Sequence, residues 1–104
     1  LTKGSSNNGG SVIYPVATAK GAKVVVVAEN LQDGEKEFIE FGVTDDGTDV
    51  FHTEYGNLRT DYQLIVPSFE FTSNSEARLN ILLGANVPAT NSVKITFSST
   101  ITKK

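Results

Sequence analysis

The sequence has no cysteine, no methionine and no tryptophan, and only one histidine. Without cysteine there is neither a disulfide framework nor a thiolate zinc site, so the fold has to hold by packing alone and the redox compartment cannot be inferred. Proline is scarce, at three residues. No run of about 18 apolar residues offers a membrane-crossing helix, and no charged-then-apolar start resembles a signal peptide. With no methionine and a start at Leu1, the expectation is either a fragment of a longer polypeptide or a processed start. Positive charge is also in short supply. Nine Lys and Arg against twelve Asp and Glu give a net charge of −3, which supplies no field to draw nucleic acid or acidic lipid. Neither a nucleic-acid nor a membrane partner is expected.

At 104 residues the chain is long enough for one domain with its own core. Residues 1–11 (LTKGSSNNGGS) are Gly-, Ser- and Asn-rich and read as a flexible arm or linker. Residues 12–104 read as the single folded domain. Their apolar pattern has period two. In Ala77 to Leu83 the residues Ala77, Leu79, Ile81 and Leu83 share a face. In the last segment Val93, Ile95, Phe97 and Ile101 share one, with Lys94, Thr96, Ser98, Thr100 and Thr102 opposite. Lys23 to Glu29 (KVVVVAE) is β-branched on both faces and predicts a central strand covered on both sides.

Glu37 to Thr44 and Val50 to Tyr55 are further strands, joined at Asp46-Gly47, which predicts a type I′ hairpin turn. Pro15 confines Ser11 to Ala19 to an edge or bulge, and Pro67 divides Tyr62 to Thr72 into two short strands. Asp33-Gly34, Ser73 to Ser75 and Ala85 to Asn91 are turns, and no stretch keeps a capped helical period. The fold class predicted is all-β: an antiparallel β-sandwich, jelly-roll or Ig-like, of seven to eight strands with essentially no helix. Its core is expected to be Val25, Val27, Ile39, Phe41, Val43, Phe51, Tyr55, Leu64, Phe69, Phe71, Leu79, Ile81, Val93, Ile95 and Phe97.

Chemistry is sparse. Asp45, Asp46 and Asp49 surround Gly47, but lack the spacing and distal Glu of a calcium loop and read as hairpin structure. His52 and Glu54 fall on one face and could form a base with its orienting acid. With no nucleophile motif and no second histidine, a polar pair on the outer face is the simpler reading. Arg59 beside Asp61 reads as turn chemistry. Tyr14 and Tyr62, near weak segments, are the candidate surface aromatics, and no phosphate loop occurs. No catalytic, cofactor-binding or metal residue is assigned, and no cofactor is implied.

The order of pieces carries a resemblance. Tyr14 to Lys23 (YPVATAKGAK) leads into the valine strand, and Val43 to Gly56 reads VTDDGTDVFHTEYG. This is similar to a repeated β domain of virion structural proteins of T4-like tailed phages, especially marine cyanophages. There an Ala-Lys strand entry precedes a hairpin of the form Val-x-His/Asp-Asp-Gly-Thr-x-x-Tyr/Phe-x-Thr-Glu-Tyr-Gly. Ser68 to Thr72, Arg78 to Leu83 and Val93 to Ile101 resemble the later strands of the pattern, so the likeness runs from Tyr14 to the C-terminus. Val24, where an aromatic is usual, and Asp45, where His is common, depart from it. The resemblance implies a non-enzymatic scaffold in tail fibre, neck, baseplate or head decoration. Its partners would be other virion proteins and copies of itself, in a virion assembled in the host cytoplasm. The competing expectations are a receptor- or glycan-binding module and a subunit of a cellular surface filament that donates its N-terminal arm as a strand.

Overall fold

The computed structural model describes residues 1–6 and 8–104. Seven strands follow one another: β1 (Asn8–Pro15), β2 (Ala19–Asn30), β3 (Lys36–Asp45), β4 (Val50–Arg59), β5 (Ile65–Phe71), β6 (Glu76–Leu83) and β7 (Val93–Lys103). They pair antiparallel in two sheets, ordered β1-β6-β5 and β4-β3-β2-β7, and no helix occurs among the described residues. This is the sandwich that the alternation predicts. Three sheet-to-sheet crossings, β1 to β2, β4 to β5 and β6 to β7, bind the layers together.

β1 begins at Asn8, inside the glycine-rich segment, where Asn8 to Ser11 pair with Leu79 to Leu82 of β6. A ladder needs only backbone groups, so a polar segment joins it without apolar side chains. Leu1 also exchanges backbone hydrogen bonds with Val93. Pro67 does not divide β5, which runs unbroken from Ile65 to Phe71 as an edge strand, where proline can sit without depriving a second neighbour of a donor.

The core lies between the sheets. From β2 it takes Val24 and Val26, both fully buried, rather than the expected Val25 and Val27, which are half-exposed on the outer face. Four consecutive valines have no period of their own. Parity comes from β3, where Phe41 and Ile39 pair with Val24 and Val26. β2 is central in its sheet, as expected, but its outer face has no covering layer. Tyr14, one of the two candidate surface aromatics, is 1% exposed and belongs to the core.

At one end of β3 a fully buried carboxylate, Glu37, joins the layers. Its Oε1 accepts from the Leu64 and Ile65 amides at 2.9 and 3.2 Å, and its Oε2 from Asn57 Nδ2 at 3.1 Å and Arg59 Nε at 2.8 Å. Arg59 therefore pairs with Glu37, not with Asp61, because β4 places it directly across the ladder from Glu37. Nearby, buried Asn30 closes β2: its Nδ2 donates to the Tyr62 hydroxyl, which donates to Asp33. Tyr62 is thus a half-buried structural residue rather than a surface platform. Its hydroxyl is raised above the ordinary tyrosine range, first by desolvation, while the same bond lowers the Asp33 carboxyl.

Ile39→Ala empties a core position and should lower unfolding free energy by about 2–5 kcal/mol. Val25→Thr, one strand face over, should change it by less than about 0.5 kcal/mol. Glu37→Gln, which brings an amide donor into a site made of donors, should cost about 3–5 kcal/mol. Urea unfolding of the three variants checks the order, and equal losses for Ile39→Ala and Val25→Thr would contradict the assigned face.

Candidate functional site

β3 and β4 meet at Asp45 and Val50, leaving a four-residue loop, Asp46 to Asp49. The expected type I′ turn is absent: it needs positive φ at both central residues, and here only Gly47 has it, at 91°. The loop is closed by side chains instead. Asp46 Oδ1 accepts from the Thr48 and Asp49 amides at 2.9 and 2.8 Å and also from the Thr48 hydroxyl. These donors, led by the Asp49 amide, hold the Asp46 carboxyl below its usual range. Asp45 takes the Gly47 amide on Oδ2 and the Tyr14 hydroxyl on Oδ1, at 2.9 and 2.8 Å. Both carboxylates are thus engaged with the turn, and Asp45 ties it to β1 in the other sheet. Burial, followed by the hydrogen bond and charge of Asp45, raises the Tyr14 hydroxyl well above the ordinary phenol range.

An even-numbered loop pairs odd residues of β3 with even residues of β4. Val43 therefore faces His52, and Thr44 faces Phe51. Since the odd residues of β3 point inward, Phe51 points outward and is 53% exposed, against the expectation that it is core. Tyr55, also expected inside, is 67% exposed, because it is the extra residue of a β-bulge between Phe41↔Glu54 and Glu40↔Gly56. The bulge reverses the phase of β4. Asn57 and Arg59 turn inward to Glu37, and Leu58 turns out opposite Phe38.

On the outer face the two rows Thr53–Gly42–Lys23 and Phe51–Thr44–Gly21 lie side by side. A shallow groove of about 700 Å³ runs along these rows, with Gly21 buried beneath it. A Cβ at Gly42 would fall 2.6 Å from the Tyr55 hydroxyl, so the Tyr55 ring lies over bare backbone. Phe51 and Tyr55 form one wall, Lys20 and Lys23 stand on the other side, and Thr44, Thr53 and Thr102 contribute hydroxyls. No carboxylate lines the groove itself, but Lys23 pairs with Glu40 at its margin, at 3.2 Å.

His52 and Glu54 do share a face, but it is the inner one, facing the margin of the sandwich. The imidazole sits 4.6 Å from the Phe69 ring and 6.1 Å from that of Phe41, and no hydrogen bond joins it to Glu54 among the described residues. The geometry makes His52 an aromatic neighbour, not a base oriented by an acid. The groove itself was missed by sequence reasoning. Its one signal was Gly42 inside an alternating strand, a mark of close approach by another group.

No protein-family model matches the chain, and no curated protein matches it. Among solved structures it is similar to the tailspike protein of the Acinetobacter phage vB_ApiP_P1. The TM-score is 0.52 and the identity 14%, over 100% of this chain and 21% of the tailspike. At that identity the likeness is one of fold. The chain spans about a fifth of the tailspike's length.

Tyr14 gives the fold an alkaline limit. Its folded-state value is raised above the unfolded value near 10, so its contribution is complete below pH 10 and is lost as pH rises further. Asp33 and Asp46 work the other way: their depressed values give stability present above the unfolded 3.8 and lost as pH falls below it. Tyr14→Phe should cost about 1.5–3 kcal/mol at pH 8, by depriving Asp45 of a donor. That deficit should narrow above pH 10 in urea titrations, and a constant gap up to pH 11 would sink the assignment.

Proposed function

We propose that the chain is a non-enzymatic structural domain of a phage tail protein, held to other virion proteins and to copies of itself by protein–protein contacts. The observation that carries this reading is the superposition of the whole chain on one part of a tailspike, with the fold of a self-contained sandwich. A module of this kind fits a long tail protein assembled from several folded units. The hairpin sequence Val43 to Gly56 supports the finer assignment to T4-like tailed phages, and tail rather than neck or head decoration is the placement favoured by the tailspike likeness. Its place of action is the virion.

The contacting surface is best sought at β7. Each of the other three edge strands carries a feature that discourages further pairing: β1 a register shift at Ile13 and Pro15, β5 a proline at its edge, Pro67, and β4 the Tyr55 bulge. β7 runs eleven residues without proline or bulge, Ser- and Thr-rich on its outer face, and beyond Val93, whose backbone groups Leu1 takes, it can add a neighbour's strand. Strand donation by residues 1–11 is disfavoured, because Asn8 to Ser11 already pair with β6 of the same chain.

Mass spectrometry of purified phage particles from the source of the sequence tests the proposal. The tryptic peptide Val24 to Lys36 is expected to co-purify with particles at a constant ratio to a tail protein. Its presence in lysate and absence from intact particles would overturn the reading.

A further inference from the structure

We infer that the outer face of the β4-β3-β2-β7 sheet is an interface between two copies of this chain, stacked face to face with their β2 strands antiparallel. The inference rests on the reading that copies of the domain touch, and gives that contact a surface apart from the β7 edge.

A strand that is apolar on both sides is built to be covered on both. Val24 and Val26 of β2 have the other sheet as cover, whereas Val25 and Val27 are half-exposed, with no layer over them among the described residues. They do not stand alone. Val27 pairs with Phe38 and Phe38 with Leu58, so the three form one row across the sheet, in which Phe38 is 39% and Leu58 71% exposed. Val25 lies in the next row, which runs through Glu40 to Gly56 and the exposed Tyr55 ring. An apolar patch spread over three strands marks an interaction surface, where single scattered residues would not. It lies on the broad side of a 42 × 26 × 16 Å slab, which is larger than the ~800 Å² that each partner gives to a standard interface. A sheet face is matched in shape by another sheet face, packed at ~10 Å.

The order of residues along the face selects a second copy as that partner. The outward residues of β2 read Lys23, Val25, Val27 and Glu29, a series with opposite charges at its two ends. Turned end for end about its midpoint it is complementary to itself: Lys23 meets Glu29 of the second copy and Val25 meets Val27, each twice by symmetry. The same rotation sets Leu58 against the Tyr55–Gly56 stretch, Thr96 of β7 against Ser98, and Lys36 against Gly42, one position from Glu40. No like charges meet in these rows. Within one copy Lys23 pairs with Glu40 at 3.2 Å and Lys36 with Glu29 at 3.9 Å, all four side chains partly exposed, so the pairs are solvated and can be shared with a facing copy. An unrelated partner would not require this end-for-end match.

Sedimentation equilibrium of the whole purified chain tests the interface. A monomer–dimer equilibrium with Kd below ~100 μM is expected. Lys23→Glu and Glu29→Lys should each weaken it at least about tenfold, because each sets two like-charge contacts across the axis. Mixed one to one, the two variants should recover near-native affinity as a heterodimer, since each reversed charge then meets its opposite. Leu58→Glu should also weaken self-association, while Val66→Glu, on the outer face of the other sheet, should leave it unchanged. Leu58→Glu is read alongside a thermal melt, and the mixing experiment decides if it does not fold. A chain that stays monomeric at every concentration, a dimer indifferent to a folded Leu58→Glu, or a mixture no tighter than its components would overturn the inference. A monomeric chain whose peptide still co-purifies with particles would do so and leave the virion reading standing, whereas a dimer that behaves as expected but is absent from particles would do the reverse.

Discussion

The structure depends most on the burial of the Glu37 carboxylate between the sheets. A charge taken out of water is costly unless its oxygens are fully occupied, and here each accepts two hydrogen bonds. Two donors are backbone amides at the start of β5, which fix where the chain lands after crossing from one sheet to the other. The other two come from alternate residues of β4, which fix the phase of that strand. One side chain therefore sets the relative placement of three strands in two layers. At the opposite end of β3, Asp45 and Tyr14 form a second polar tie between the sheets. The apolar stripe Ile39, Phe41 and Val43 runs between the two ties, so slippage of one sheet along the other would break both at once.

The requirements of Glu37 reach the outer surface through the β4 bulge. His52 and Glu54 point inward at the hairpin end of β4, and strict alternation would next send Gly56 and Leu58 inward, leaving Arg59 in water. One inserted residue, Tyr55, reverses the phase and delivers Asn57 and Arg59 to the carboxylate. The inserted side chain goes to the outer face, and Gly42 leaves room for its ring there. Aromatic cover over a strand glycine is a known stabilising device. The groove is thus partly a by-product of how the sandwich is locked.

Much of the fold was legible because period-two alternation needs only one buried face per strand. Ala77 to Leu83 and Val93 to Ile101 lie on the faces their patterns assign. What failed was phase. In Lys23 to Glu29 the valines have no alternation, and only the partner strand decides that Val24 and Val26 are inside. In Val50 to Tyr55 aromatic residues imitate a core face, and only loop parity and a bulge turn them out. Both are properties of pairs of strands, which a reading of single segments does not contain. The same limit hid the candidate site. Gly21 and Gly42 are 21 positions apart in the chain, and only the β2–β3 register, which pairs Lys23 with Gly42 and Gly21 with Thr44, sets them side by side.

The two sheets differ in width, and the difference shapes what the domain can present to a partner. Four strands face three, so the inner sides of the outermost strands β4 and β7 overhang: His52 and Glu54 remain exposed, while Ile95, Phe97 and Ile101 are only half-buried. On the β4 side the overhang is polar and its edge is broken by the bulge, which suits a solvated margin. On the β7 side it is apolar, and a crevice of about 150 Å³ opens between Ile95 and Phe97 and the glycines of β1. Beyond the Leu1 contact at Val93, an edge without proline or bulge and a half-buried apolar margin thus fall on the same strand. A strand added at β7 would satisfy its free backbone groups and cover the half-buried residues in one step, whereas addition at β1, β5 or β4 would meet a proline or a bulge.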